Sequence, residues 1–330
     1  MFDVPLVMVV LIAFALVFDF LNGFHDSSNI VATMIASRAM NGQMALTIAA
    51  IAHFLGPFLF GVAVATTVGH EILNEVEIKL SVTMAALIAA IVWNVVTWYF
   101  GIPSSSSHAL VGGMLGAAVI ESGWGVVKMA GVTKVLIALT ISPIIGLTVG
   151  FIVMRTVLFL ARPFPPSINQ FFKRSQLVTA LALSLSHGTN DAQKTMGVIT
   201  MGLVSAGVLQ EFYVPFWVIF ISAAAIALGT WFGGWRLIKT LGGKFYKIRP
   251  IHGFTAQFAS ASVILSASLL GGPVSTTQVV SSAIMGVGSA ERLSKVRWGV
   301  AGQIVTAWLT TIPAAALMSA LVALVLRQWF

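Results

Sequence analysis

Hydrophobic residues run in long stretches along this chain, and short polar interruptions separate them. Ten apolar segments can be read, at roughly 4–37, 43–69, 80–100, 103–120, 131–161, 176–205, 213–235, 253–271, 273–290 and 298–326. A helix needs about 20 apolar residues to cross a bilayer, so most of these predict spanning helices. The fold class expected is an all-α polytopic membrane protein. The first and sixth segments are too long for one straight span. Each is interrupted by a polar, glycine-containing stretch, Gly23-Phe-His-Asp26 and Gly188-Thr-Asn-Asp191, where an interrupted helix is expected.

Composition agrees with that reading. Of 330 residues 58% are hydrophobic and 8% charged, and mean hydropathy is +0.97. So few charges cannot cover a soluble globule of this size, where about a quarter of residues are usually charged. This excludes a cytosolic enzyme, a secreted domain and a nucleic-acid binder. Cysteine is absent, so disulfides, thiolate metal sites and cysteine nucleophiles are excluded too. The first segment lacks a basic leader and a small-residue cleavage site, and it reads as a retained span.

The distribution of charge then sets an expected topology. With the N-terminus outside and ten crossings, the inner loops hold Arg38, the basic residues of 155–174, those of 236–249 and those of 292–297. These make 13 of the 18 Lys and Arg. Lys79, Lys128, Lys134 and Arg327 fall outside, with Asp3, Glu71, Glu75, Glu77, Glu121 and Glu211. The pattern follows the positive-inside rule and puts both termini outside a prokaryotic plasma (inner) membrane. A re-entrant Pro-led segment, at 103 or 273, would force a basic loop outside, so the charge bias argues for full crossings.

Two motifs recur in order. Gly23-Phe-His-Asp26 aligns with Gly188-Thr-Asn-Asp191, 165 residues on, and Pro103-Ser-Ser-Ser-Ser-His108 aligns with Pro273-Val-Ser-Thr-Thr-Gln278, 170 residues on. The second pair continues into Gly116 and Gly286. Two halves are therefore expected, 1–161 and 176–330, joined by a cytoplasmic linker at 162–175. About five crossings in each half would make them inverted repeats, the architecture of secondary transporters, whose substrate site lies at the midplane between repeats.

The chemistry inside the apolar segments is sparse. Asp19, Asp26, Asp191 and Lys194 are the carboxylates and ammonium in the interior of these segments, Lys134 and Arg155 standing near the ends of theirs, and intramembrane charge is costly enough to mark function. The Pro-Ser/Thr stretches read as helix starts, with proline in the first turn and hydroxyls as caps. Two helix N-termini converging from opposite sides make a cradle for a tetrahedral oxyanion, offered by Ser105, Ser106, Ser107, Ser275, Thr276 and Thr277. Paired aspartates beside an anion require an intervening cation or proton, so Asp26 and Asp191 point to cation-coupled uptake. Asn29, Asn190, Gln193, Gln257, Gln278, His25 and His108 are candidates to complete the ligand shells. His53, His70, His187 and His252 have weaker claims.

On these motifs the chain resembles the inorganic phosphate transporter (PiT) family along nearly its whole length. Gly188-Thr-Asn190-Asp191 matches the duplicated G-x-N-D signature, Gly23-Phe-His25-Asp26 matches it more loosely, and 103–107 and 273–277 match P-x-S-[ST]-[ST]. The resemblance implies a homodimeric symporter of inverted repeats that imports phosphate with a cation, not an enzyme and with no resident cofactor. It assigns substrate binding to Asn29, Asn190 and the Ser/Thr cradle, and coupling to Asp26, Asp191 and their neighbours. Lys194 departs from the sodium-coupled pattern, which has Asn there. Asp191-Ala-Gln-Lys194 looks like the bacterial low-affinity branch, associated with protons and with divalent metal–phosphate as the carried species. Proton coupling is thus expected over sodium. A sulfate permease and a sodium-coupled phosphate symporter share the fold. An intramembrane aspartyl protease is disfavoured because His25 and Asn190, not glycine, precede the two aspartates.

Overall fold

A computed structural model describes residues 6–74, 79–243 and 247–328. Asp3, Glu75, Glu77 and Lys244 of the charge argument lie outside the described residues. The long helices are α1 (Leu6–Ala36), α2 (Gly42–Leu59), α4 (Leu80–Phe100), α5 (Ser106–Ser122), α6 (Met129–Ala161), α7 (Ile168–Ser205), α8 (Phe216–Phe232), α10 (Pro250–Leu269), α11 (Thr276–Glu291) and α12 (Trp298–Leu326). A short α3 (Ala63–Thr66) runs on from α2, and α9 (Trp235–Gly243) from α8. Among the described residues five helices are long and apolar enough to cross a membrane: α1, α2, α4, α6 and α12.

The molecule is polar within and apolar without. Leu309, Leu317 and Val325 of α12 and Ile137, Ile144 and Ile152 of α6 face outward, whereas Asp19, Asn22, Asp26, Asn29, Asp191 and Lys194 are buried. That is the arrangement expected when hydrocarbon is the solvent.

Two helical hairpins carry the serine motifs. Lys79 pairs with Glu121 at 2.8 Å, closing the base of the α4/α5 hairpin, and Arg249 pairs with Glu291 at the base of α10/α11. At the other end the chain turns through Gly101 (φ 66°) and Gly271 (φ 70°) into buried extended segments that lead into α5 and α11. Ser105 caps α5 by accepting from the His108 amide, and Ser275 caps α11 by accepting from that of Gln278. The tips meet, Ser107 Oγ donating to the Val274 carbonyl at 3.2 Å. The ion pair, the glycine turn and the serine cap of the first hairpin each recur 170 residues later. The segments 103–120 and 273–290, counted as full crossings from sequence, instead start from buried tips and fold back on α4 and α10. The tip loops bear no charge, so doubling back leaves every basic loop on its assigned side.

The expected break at the Gly-containing signatures is not there: α1 and α7 pass through both without interruption. Their glycines serve close helix crossing. A Cβ on Gly23 would lie 2.1 Å from the Ile226 carbonyl oxygen of α8, and one on Gly188 would lie 2.5 Å from that of His53 in α2. The interruptions fall on neighbouring helices instead. Between α2 and α3 the side chain of Gln193 bridges the gap, accepting from the Val64 and Ala65 amides at 2.8 and 3.2 Å and donating to the Gly61 carbonyl at 2.7 Å. Between α8 and α9, Ser27 Oγ accepts from the Gly234 amide at 2.8 Å. The 236–249 stretch read as a basic loop begins as helix α9.

Candidate functional site

The site forms where the two tips meet α1 and α7. Spacing on α1 decides its polar face: Asp19, Asn22, Asp26, Asn29 and Thr33 recur every three or four residues, so all lie on one stripe, and all are buried. On α7, Asp191 and Lys194 sit one turn apart.

Asp191 is heavily engaged. One oxygen is ion-paired with the Lys194 ammonium. The other accepts from Thr276 Oγ1 at 3.0 Å and lies 2.9 Å from His187 Nδ1. Lys194 donates also to Ser107 Oγ at 2.6 Å and to the Val274 carbonyl at 3.1 Å. An ammonium has three N–H donors, so all three are used, and they join α7 to both tips. Breaking such a buried pair costs about 3–5 kcal/mol.

Asp26 lacks an ammonium of its own. Its Oδ1 accepts from Thr277 Oγ1 at 2.8 Å and Asn29 Nδ2 at 2.9 Å, with His25 Nδ1 at 3.3 Å. Thr276 Oγ1 lies 3.3 Å from its Oδ2. This one hydroxyl therefore reaches both aspartates but has a single proton to donate. One carboxyl oxygen each of Asp26 and Asp191 and a ring nitrogen of His187 lie within 4.8 Å of one another, close enough for one cation to be held among them.

The remaining candidates divide. Ser106 donates to Asn22 at 2.6 Å, and the amides of Ser106, Ser107, Thr276 and Thr277 lie in first helical turns, outside the helices' own ladders. His108 and Gln278, equivalent in the two motifs, face each other at 3.4 Å across the tips, and His108 also bonds Ser105 Oγ at 2.7 Å. Asn190 ties α7 to Ser268 and the Gly272 carbonyl. Gln193 is committed to the α2/α3 gap, as above. Gln257 donates to Thr33 and accepts from Thr179, further along the stripe. Among the histidines given weaker claims, His187 stands against Asp191, stacked on His53 with ring centroids 5.1 Å apart. Its position four residues before Asp191 was the sequence signal available. His252 belongs to the Arg249–Glu291 hairpin base, and His70 packs against Phe212.

The sequence profile of the Phosphate transporter family matches residues 22–165 and 159–319. The chain belongs to the phosphate transporter family. Within it, a "probable low-affinity inorganic phosphate transporter" of Rhizobium meliloti is 48% identical, the match covering 95% of each chain. A protein of the same description from Bacillus subtilis is 42% identical over 99% of this chain and 100% of its own. Among solved structures, one titled "The sodium-dependent phosphate transporter" superposes with a TM-score of 0.89 at 26% identity, covering 99% of this chain and 100% of that one. Like its family, this protein is a membrane transporter of phosphate, not an enzyme.

Proposed function

We propose that this phosphate transporter is a proton-coupled symporter importing phosphate across a prokaryotic inner membrane, alone or as a divalent metal–phosphate. In this reading 1–161 and 176–330 are inverted repeats joined by 162–175. Both termini lie outside, and the two hairpins enter from opposite faces to meet at the midplane. Phosphate binds between the N-termini of α5 and α11, where hydroxyls and unpaired amides converge and the positive helix ends favour an anion.

One observation carries the choice of coupling ion. The Lys194 ammonium occupies a cage of three oxygens, from Asp191, Ser107 and Val274. Oxygen donors of this kind suit a sodium ion, and a resident ammonium fills that place and repels a second cation. Asp26 is then the carboxylate without a countercharge when the anion arrives, and a proton on it removes the repulsion. The sodium-dependent title of the superposed structure favours a second reading, in which sodium binds near Asp26. Purified protein in liposomes separates them: labelled phosphate should accumulate under an inward proton gradient in sodium-free medium. Accumulation driven by a sodium gradient at clamped pH would overturn proton coupling.

A further inference from the structure

Asp19 is the third carboxyl group of the buried core, and nothing above employs it. It lies on the α1 stripe one turn before Asn22, with no exposed surface. Neither of its carboxyl oxygens has a hydrogen bond of good geometry. The one hydroxyl acting on it is Thr195 Oγ1 of α7, and Asn22 Nδ2 is without a partner. On the side away from the phosphate site the stripe becomes apolar through Ala15, Leu11 and Met8, packed in one cluster with Met196 and Ile199. Asp19 thus stands at the boundary between the polar site and an apolar plug.

A buried carboxylate with no counter-ion of its own and a single hydroxyl beside it is too costly to remain charged. Asp191 has Lys194, and Asp26 has Thr277 and Asn29; Asp19 has no ammonium and only the Thr195 hydroxyl. The charged groups acting on it are Asp191 and Lys194 of α7, whose charges offset each other in their ion pair. Along its own helix the titratable neighbours are His25 and Asp26. Among the helices packed on α1, α7 also carries His187, which stands against Asp191, and Lys173 and Arg174 near its start; α8 has no titratable residue, α2 has only His53, and α4 only Tyr99 at its far end. Arg236 of α9 is held over Trp98 and Tyr99, Lys239 of α9 is exposed, and His252 of α10 and Glu291 of α11 are held at the hairpin base.

We propose that Asp19 is a proton-carrying carboxylate of the transport cycle, separate from the phosphate site. This rests on the proton-coupled reading above. The state described here, with Asp19 sealed, corresponds to the protonated form. When the apolar plug parts, the carboxylate takes up one proton from water on the outer face, and once the plug has closed and the opposite side opens the carboxylic O–H dissociates to water on the inner face. Nothing is oxidised or reduced, and one proton crosses for each cycle of this group.

The test compares Asp19→Asn, the neutral isostere, with Asp19→Glu in proteoliposomes. Asp19→Asn should retain phosphate counterflow between equal pH compartments but lose at least tenfold in accumulation driven by a proton gradient, and Asp19→Glu should restore it. Asp19→Asn with wild-type accumulation overturns the assignment while leaving proton coupling intact. Wild-type protein that ignores the proton gradient overturns both. Infrared spectroscopy gives a readout free of transport: purified wild-type protein at neutral pH should show the carbonyl stretch of a protonated carboxyl, and Asp19→Asn should lose it. An unchanged band in the variant, or loss of counterflow in a folded variant, refutes the proposal.

Discussion

Replacing Lys194 with Asn tests the oxygen cage directly. The ammonium reaches Ser107 Oγ at 2.6 Å and Val274 O at 3.1 Å as well as the Asp191 carboxylate. Asn is too short to reach them and carries no charge. Losing one partner of a buried ion pair costs about 3–5 kcal/mol. Asp191 keeps Thr276 at 3.0 Å and His187 at 2.9 Å, so the lower end, about 3 kcal/mol, is expected. The vacated cage should then accept sodium. A ligand bound only by the folded protein returns about 2.7 kcal/mol at a hundred times its Kd, close to the whole loss. Thermal unfolding of Lys194→Asn in detergent should therefore shift downward in choline chloride and recover in sodium chloride, while wild-type protein responds equally to both salts. Phosphate uptake by the variant should become sodium-stimulated. A variant as stable as wild type in choline, or one indifferent to sodium in both assays, would refute the reasoning.

Other outcomes follow from the same geometry. Thr276→Val removes the hydroxyl shared by Asp26 and Asp191, and a lost hydrogen bond to a charged group is worth about 1.5–3 kcal/mol; labelled phosphate uptake should fall at least tenfold, with serine restoring most of it. Gly188→Val sets a side chain against the His53 carbonyl and should lower the unfolding temperature by separating α2 from α7, whereas Gly299→Ala, with open space around it, should leave it unchanged. Excess sulfate should compete poorly with labelled phosphate, because a phosphate monoanion can donate a proton to a carboxylate and sulfate cannot. Glu291 lies just beyond the 273–290 segment. Burial alone would raise its titration, but hydrogen bonds from His252 and Lys295 outweigh it and bring it down to about 2 from 4.5. A carboxyl lowered on folding stabilises above its unfolded value and loses that contribution as pH falls through the folded one. The acid limb of unfolding between pH 4.5 and 2 should therefore flatten in Glu291→Gln.

Much of this arrangement was legible in the residues. Long apolar runs fix the solvent, and the two Pro-Ser/Thr motifs name the helix starts through their hydroxyl caps, Ser105 and Ser275, whereas Pro103 and Pro273, expected in the first turn, stand two residues before those caps in the extended approach. Asp26, Asp191 and Lys194 stand out because charge is rare in an apolar segment. What was not legible depends on contacts between distant segments. Glycine in Gly23-Phe-His-Asp26 and Gly188-Thr-Asn-Asp191 has two uses, breaking a helix or admitting a neighbouring one, and only the partners Ile226 and His53 decide between them. The hairpins were hidden for a similar reason: α4 and α10 are as long as spanning helices, and a tip without charge leaves the positive-inside pattern intact. Gln193 and Gln257 lie near the right motifs, but each side chain turns to another helix. His187 is the converse case, a residue whose i, i+4 spacing to Asp191 was visible and whose role depends on the tip that brings Thr276 alongside.

The central claim is that phosphate binds between the two hairpin tips with Lys194 in the place of a sodium ion. A structure of the wild-type protein with phosphate bound, determined in the presence of sodium, tests it most directly. The account predicts phosphate at the N-termini of α5 and α11, touching the hydroxyls and amides of 105–107 and 275–277, with the Lys194 ammonium still paired to Asp191. Phosphate bound away from the tips, or a sodium ion among Asp191, Ser107 and the Val274 carbonyl with Lys194 displaced, would contradict it.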